Sequence, residues 1–397
     1  MKILLTIHHN LDPNTGAPGS TLKLGQEYQN LGHQVEYYSF DNLPSWIHAK
    51  VKSLVFAWFV AVHIANLCRR QAVEIIDAST GNAWIWAKMR RKSRAKLPLL
   101  VTRSHGLEHI VHLEQLESAK QGKLRLSWKY PLYHGGYRLW EVATSMRYAD
   151  LVFQRNHHDL EYATEQLGIK PEQSHVVPYG IPETFINLPF EPLLDSTPIA
   201  IALVATYLPR KGIDYSIPAL NTILERYPQI TVSMLGTGCP AEQVYADFKP
   251  ELRDRVHVMP HYHHDQLPTL LQGHQIKLFP SLAEGFGIVL IEAMACGLAP
   301  ITTAIDGPKE IVTDGQDGIL IPPRDRQAIE QALERLISDR PYLEQLRRQA
   351  YDTAQKYSWT AVAQQQLALY EKALDRHQEK VSKGDLNCDC PSQPSVE

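Results

Sequence analysis

Two doubly wound α/β domains facing each other across a central cleft are the fold class this sequence predicts, and three observations lead there. Short β-branched or Leu-rich runs alternate with longer helical patterns from the first residue to about Arg340, which is the signature of parallel strands joined by crossover helices. The length of 397 residues suits two ordinary domains better than one core. A proline cluster in the middle, Val177-Pro-Tyr-Gly-Ile-Pro182 followed by Pro189, Pro192 and Pro198, can continue neither a helix nor a central strand and reads as a linker.

The first set of strands is expected at Lys2 to Ile7, Gln34 to Ser39, Ile75 to Ala78, Leu99 to Thr102, Leu151 to Gln154 and His175 to Val177. Between the first two, Ser20 to Leu31 has helical spacing and stops at Gly32, a residue suited to a left-handed cap. After the linker a second set follows: Ile199 to Ala205, Ile230 to Leu235, Val256 to Met259, Ile276 to Pro280, Ala299 to Thr302 and Gly318 to Ile321. This places an N-terminal domain over 1–185 and a C-terminal domain over 186–357. Residues 325–374 are mostly helical with a break near Tyr357-Ser358-Trp359, and the polar, Pro-containing tail 377–397 is expected to be disordered.

Charge and cysteine content narrow the functional classes. A formal net charge of −3, from 40 basic and 43 acidic residues, offers no global attraction for nucleic acid. Cys68, Cys239, Cys296, Cys388 and Cys390 form neither a disulfide framework nor a four-ligand zinc pattern, so a reducing, cytosolic setting is expected. The opening run Ile3-Leu4-Leu5-Thr6-Ile7 is too short for a signal peptide and reads as a strand. The apolar stretch Leu54 to Leu67 falls short of a membrane span, and a buried helix is favoured over an interfacial one.

The most informative segment is Phe279-Pro-Ser-Leu-Ala-Glu-Gly-Phe-Gly-Ile-Val-Leu-Ile-Glu-Ala-Met-Ala-Cys-Gly297, where a strand ends, Gly285 and Gly287 turn the chain, and a helix begins. Unsatisfied N–H groups and the positive end of the helix dipole suit such a turn to a diphosphate. Glu284 precedes the turn and Glu292 lies about one and a half turns into the helix. Carboxylates accept hydrogen bonds from paired sugar hydroxyls, so one acid could hold a ribose and the other a hexose. A solvated helix face would explain either glutamate alone. It does not explain Glu292 inside the apolar run Ile-Val-Leu-Ile-Glu-Ala-Met-Ala, where an unpaired charge is costly.

This segment resembles the Glu-x7-Glu motif of glycosyltransferase family 4, the retaining enzymes of GT-B fold, at Glu284 and Glu292 with Gly-Phe-Gly between. Pro209-Arg-Lys-Gly212 resembles the family's phosphate-binding loop, Gly307-Pro-Lys-Glu-Ile-Val312 and Asp314-Gly-Gln-Asp-Gly318 resemble the segments after the motif, and Val177 to Pro182 resembles the entry to the linker. Ser358-Trp359 resembles the crossover from which a last helix, 358–376, returns to the N-domain. The resemblance covers residues 1 to 375 and implies two Rossmann-like domains, a nucleotide diphospho-sugar donor, retention at the anomeric carbon, and neither cofactor nor obligatory metal.

By the same resemblance Glu284 contacts the transferred hexose and Glu292 the ribose, Gly285, Phe286, Gly287 and Ile288 lie along the donor, and Lys211 and Arg210 neutralise the departing diphosphate. Where the family commonly carries Gly-Arg before this lysine, the chain has Ala205-Thr206, so the second cation is either Arg210 or missing. His105, at the end of the fourth strand, stands where the family often places a histidine against the sugar, and Gly16 and Gly19 stand in the family's glycine-rich loop without its usual Gly-Gly. A glycan or lipid-linked acceptor is implied. A sugar-nucleotide epimerase or hydrolase, and a non-catalytic nucleotide-sugar-binding protein, are the alternative readings.

Three further features compete for attention. Gly236-Thr-Gly-Cys-Pro-Ala241 fits a loose dinucleotide fingerprint but sits in the middle of a domain. His261-Tyr-His-His264 lacks acidic ligands at helical spacing, and Asp265 is expected to cap a helix from Gln266 to Gln272. The basic and aromatic segment Lys123 to Tyr130, with Tyr133, Tyr137, Arg138, Trp140 and the basic run 90–96, reads either as a solvated surface or as a patch for peripheral contact with a membrane.

Overall fold

The computed structural model describes residues 1–13, 16–70, 72–90, 97–120, 122, 125–194 and 196–382. The N-domain carries strands β1 (Lys2–Thr6), β2 (Gln34–Tyr38), β3 (Ile75–Ser79), β4 (Leu99–Arg103), β5 (Leu151–Gln154) and β6 (Ser174–Val176), all parallel, in the order β2-β1-β3-β4-β5-β6. Its helices are α1 (Gly16–Asn30), α2 (Ala49–Arg69), α3 (Trp84–Arg90), α4 (Glu108–Lys120), α5 (Arg138–Arg147) and α6 (His157–Glu165). Every strand expected in this half is present, with ends shifted by a residue or two.

The C-domain repeats the plan with β7 (Ala200–Val204), β8 (Thr231–Leu235), β9 (Val256–Met259), β10 (Ile276–Phe279), β11 (Ala299–Thr303) and β12 (Ile319–Ile321), in the order β12-β11-β10-β7-β8-β9. Its helices are α7 (Ile213–Arg226), α8 (Ala241–Ala246), α9 (Leu267–Leu271), α10 (Ile288–Ala295), α11 (Pro308–Ile311), α12 (Arg326–Ser338) and α13 (Arg340–Ala354), after which α14 (Trp359–Ser382) crosses back to the N-domain. The strand order reverses at β7 and β10. In an open parallel sheet ligands bind at the carboxyl ends of the strands at such a switch point.

Both faces of each sheet are covered, which is why the strands read as continuous apolar runs. In the N-domain, α2, α3, α5 and α6 cover one face through Phe56, Val60, Ile64, Trp86, Val142 and Met146. On the other face lies a cluster that includes Tyr28 of α1 and Tyr370 of α14 and continues through Tyr179, Phe286 and Trp359 to Leu290 and Met294 of α10. One hydrophobic cluster therefore runs through both domains. At the crossover, Ile181 N donates to Tyr357 O at 2.7 Å and Ile181 bridges Ser358 as a short parallel pair.

A buried polar network fixes α14 on the sheet. Arg103 at the end of β4 is 1% exposed and its Nε donates to Oδ1 of Asp77, fully buried on β3, at 3.0 Å. Tyr370 Oη donates to the other carboxylate oxygen at 2.8 Å and lies 3.0 Å from Tyr28 Oη, and Tyr28 in turn donates to Gln366 Oε1 at 2.8 Å. Across the cleft mouth, Asn156 Nδ2 donates to Gly285 O at 2.8 Å and His157 Nδ1 pairs with Glu310 Oε2 at 2.9 Å.

Three expectations are corrected. The apolar helix α2 is longer than the stretch Leu54 to Leu67 and only one of its faces is buried, leaving Val51, Leu54, Trp58 and Val62 exposed. A helix apolar on all sides can cover a sheet with one stripe only, so the opposite stripe is left to solvent or a partner. Its 21 residues are long and apolar enough to cross a membrane by length and composition alone. Helix α14 runs on to Ser382, because polarity without Gly or Pro does not stop a helix; the remainder of the expected disordered tail, 383–397, lies outside the described residues. Asp265 is not the cap of a helix over Gln266 to Gln272: the chain forms a 3₁₀ turn, His264–Gln266, capped reciprocally by His263 and Gln266, and α9 begins at Leu267.

Candidate active site

The carboxyl ends of β1 and β4 in one domain face those of β7 and β10 in the other; His105, Arg210, Lys211, Glu284, Gly285, Phe286 and Gly287 lie in the segments after these strands, and Gly16, Gly19, Ile288 and Glu292 in the first two turns of helices α1 and α10. After β7 the chain makes a 3₁₀ turn, Pro209–Lys211, and enters α7 through Gly212 at φ 76°. A Cβ there would sit 2.0 Å from Pro280 O, so only glycine lets this loop close on the end of β10. Leu282 N donates to Arg210 O at 2.8 Å, which locks the two loops together.

That contact sets Lys211 against Glu284. The ammonium forms an ion pair with Glu284 Oε1, which also accepts from Ser281 Oγ at 3.1 Å, and both side chains are largely buried. Arg210 is exposed and its guanidinium has no ion-pair partner among the described residues. Beneath them lies a cation that the pattern of the strand did not flag. Lys277 on β10 is fully buried, its Nζ has no hydrogen-bond partner among the described residues, and burial beside Lys211 pushes the amine down to about 7.

Gly287 caps α10 with φ 107°, and the N–H groups of Phe286, Gly287 and Ile288 have no acceptor among the described residues. They form the unsatisfied helix start that the sequence predicts. Gly285 has a different reason for being glycine. A Cβ there would lie 3.3 Å from both Gly106 Cα and His105 O, so the turn packs edge to edge against the loop after β4. The Phe286 ring is 5% exposed and packs between Tyr179 and Tyr357, with centroids at 5.8 and 6.1 Å, so only the backbone of this residue can line a donor.

Glu292 is 2% exposed, and the apolar run around it poses the cost of a buried charge that the sequence raises. The partner is His264, whose Nε2 lies 2.7 Å from Glu292 Oε1. His264 belongs to the histidine cluster set aside as a metal site, and its use is to hold Glu292. Among the described residues no group of three or more His, Cys, Asp or Glu side chains could hold a metal ion.

Glu292 and Ile288 share one cleft of about 210 Å³ with Gly16, Gly19, Lys23, Tyr262, His264 and Trp359. Sequence reasoning brought Gly16 and Gly19 here but missed Lys23 and Trp359. Lys23 was detectable, since on α1 it follows Gly16 and Gly19 at helical spacing and so shares their face. Burial depresses its ammonium while the charge of Glu292 across the cleft opposes that shift. Trp359 Nε1 is buried without a partner among the described residues, and nothing in its local sequence signals that. Asn14 and Thr15 of the expected glycine-rich loop lie outside the described residues.

On the N-domain side His105 stands above Gly285, and its imidazole is held well below the ordinary histidine range by burial and by Arg103 and Arg155. Beside it His8 is likewise held neutral, chiefly by burial and then by Arg138, whose guanidinium reaches His8 at 3.3 Å, Thr80 at 2.6 Å and Glu108 at 3.3 Å.

Two parallel-sheet domains with a helix start, two carboxylates and a lysine at their facing strand ends define a GT-B protein, and comparison with known proteins agrees. Sucrose-phosphate synthase from Thermosynechococcus elongatus superposes with a TM-score of 0.73 at 20% identity, covering 94% of this chain and 99% of that one. HepE of Anabaena, solved in complex with UDP, superposes with a TM-score of 0.68 at 19% identity over 94% of this chain and 100% of that one. Residues 185–353, which make up most of the C-terminal domain, match the model of the family glycosyl transferases group 1. The MMP alpha-(1->4)-mannosyltransferase of Mycolicibacterium hassiacum is 33% identical over 217 residues, which is 53% of this chain and 51% of that protein. The match thus spans about half the length of that relative.

Proposed function

We propose that this protein is a retaining glycosyltransferase that moves a hexose from a nucleotide diphospho-sugar to a hydroxyl of a glycan or lipid-linked acceptor. The observation that carries the reading is that one strand–turn–helix segment holds Glu284, paired with Lys211, the N–H groups of residues 286–288, which have no acceptor among the described residues, and the His264-anchored Glu292. A diphosphate entering at the helix start competes with Glu284 for the ammonium of Lys211 and releases the carboxylate toward the sugar hydroxyls. The same ion binding therefore prepares both halves of the donor site.

The glycosidic C–O bond then breaks with its electron pair going to the diphosphate. The acceptor oxygen bonds to the anomeric carbon on the same face, and its proton passes to the departing phosphate oxygen. No protein nucleophile or metal enters this scheme. The N–H groups and Lys211 stabilise the growing charge on the diphosphate. Incubation with a panel of nucleotide sugars tests the reading: acceptor-dependent release of nucleoside diphosphate with formation of an α-linked product from an α-linked donor is expected. Release without acceptor points to a hydrolase, and donor binding with no turnover on any acceptor points to a binding protein.

Glu292 lines the cleft and is assigned to the ribose hydroxyls, as the resemblance to the Glu-x7-Glu motif implies. Glu292→Ala should weaken binding of the nucleoside diphosphate by about 1.5–3 kcal/mol, the worth of hydrogen bonds to a charged group. Unchanged affinity by calorimetry in a folded variant places the ribose elsewhere.

Exposed apolar side chains favour a lipid-linked acceptor over a soluble glycan. Val51, Leu54, Trp58 and Val62 line one face of α2, and Trp46, Met89, Trp128, Leu132 and Trp140 are also exposed on the same domain. Lys88 and Lys129 lie over Trp140 and Trp128 at 4.5 and 5.3 Å, a mix of aromatic rings and cations suited to an anionic membrane surface. Most of the basic run 90–96, and Lys123 and Leu124 of the neighbouring segment, lie outside the described residues. The protein should float with phosphatidylserine vesicles at low salt, and Trp58→Ser with Leu54→Ser should reduce flotation severalfold. No association of the unaltered protein removes the membrane from the proposal.

A further inference from the structure

The imidazole of His105 has two nitrogens in different surroundings. Nδ1 is hydrogen-bonded to Tyr179 Oη, with ring centroids 6.0 Å apart and planes inclined by 18°. Nε2 is buried and has no partner among the described residues. With Arg103, Arg155, His8 and His9 around it, the buried ring is neutral and carries one N–H. Which nitrogen bears that hydrogen decides whether His105 can donate to a sugar oxygen or take a proton from one.

Tyr179 decides it. The residue is 6% exposed, and among the described residues its hydroxyl has no hydrogen-bond acceptor other than Nδ1 of His105. The Arg155 guanidinium lies 4.1 Å from the centroid of the Tyr179 ring. It is committed to backbone carbonyls, with Nε to Ser104 O at 2.8 Å and Nη1 to Val177 O at 2.8 Å and Pro178 O at 3.2 Å. A guanidinium offers no lone pair, so it cannot take the phenolic hydrogen. Protonation at Nδ1 would leave two buried groups unanswered among the described residues, the phenolic hydrogen and the Nε2 lone pair, whereas protonation at Nε2 leaves only the Nε2 hydrogen. Tyr179 therefore donates to Nδ1, and the hydrogen of the imidazole sits on Nε2.

Resting on the donor site proposed above, we infer that Tyr179, held by Arg155, is a positioning residue that keeps His105 as the Nε2–H tautomer, so that His105 serves as a hydrogen-bond donor to the transferred sugar and not as a base. The same tyrosine ring meets Phe286 and Trp359 edge-on at 5.8 and 6.2 Å. The orientation of His105 is thereby tied to the glycine turn of the C-domain and to the crossover.

Nitrogen-15 NMR of the histidine-labelled protein reads the tautomer without any substrate, with the His105 signal identified by its loss in His105→Gln. An unprotonated Nδ1 and a protonated Nε2 are expected in the unaltered protein. Tyr179→Phe keeps the ring contacts and should mix the two tautomers while lowering kcat about tenfold. His105→Gln, whose amide N–H falls near Nε2, should retain about tenfold more activity than His105→Asn, whose amide falls near Nδ1. Protonated Nδ1 in the unaltered protein, or an unchanged tautomer in Tyr179→Phe, overturns the role of Tyr179 whatever the enzyme transfers. Equal kcat in His105→Gln and His105→Asn overturns the donor role of Nε2. Absence of transfer by the unaltered protein, with the expected spectra intact, counts against the proposed reaction and leaves the tautomer assignment standing.

Discussion

Lys211→Ala should lower kcat/KM by about 10²–10³-fold while leaving the fold intact, since a preorganised charge contact to a developing oxyanion is typically worth that much. The diphosphate gains negative charge as the glycosidic bond breaks, so the loss falls on the transition state more than on donor binding. The structure sharpens the expectation. Lys211 is paired with Glu284, and removing the ammonium also leaves that carboxylate buried near where the phosphates enter. The double variant Lys211→Ala with Glu284→Gln should therefore bind donor better than Lys211→Ala alone, as expected of side chains that act as one unit. Arg210 is exposed and unpaired among the described residues, so Arg210→Ala should cost much less than Lys211→Ala unless its side chain swings onto the diphosphate. Steady-state kinetics with saturating acceptor decide the matter. Near-normal turnover of Lys211→Ala would place the diphosphate away from this loop.

Arg103→Met should destabilise the N-domain by about 3–5 kcal/mol, the usual cost of removing one partner from a buried ion pair. Asp77 would remain fully buried, with the Tyr370 hydroxyl as its one remaining side-chain hydrogen-bond donor among the described residues. For a domain of this size the melting temperature should fall by about 10 °C in differential scanning calorimetry. Replacing both partners, Arg103→Met with Asp77→Leu, should recover much of the loss because no orphaned charge is left. A single variant that melts with the unaltered protein would show that the pair contributes little to holding α14 on the sheet.

Much of the candidate site is close together in the sequence because it is built locally. Glu284, Gly285, Gly287 and Glu292 lie within one strand–turn–helix unit, where the order of residues sets their relative positions. Even so, the reason for Gly285 emerged only from its approach to Gly106 in the other domain. Glu292 posed a question the sequence could state and not answer. Its partner His264 lies on a separate loop, inside a cluster that spacing had made look like a failed metal site.

The apolar helix α2 was misread for a related reason. Composition measures how apolar a segment is, whereas burial depends on how much of it a neighbouring sheet can cover, and the sheet covers one stripe.

By itself the sequence determined the fold class, two parallel-sheet domains, and all twelve strand positions to within a residue or two. Periodicity and turn chemistry are properties of neighbouring residues, so they can be read along the chain. Only the tertiary structure decided that Lys211 pairs with Glu284, that His264 answers Glu292, that Lys23 and Trp359 share the cleft of Glu292, and that Tyr179 is hydrogen-bonded to His105. Each of these contacts joins residues far apart in the chain, and their proximity follows from the docking of two sheets and a returning helix, whose geometry no local pattern encodes.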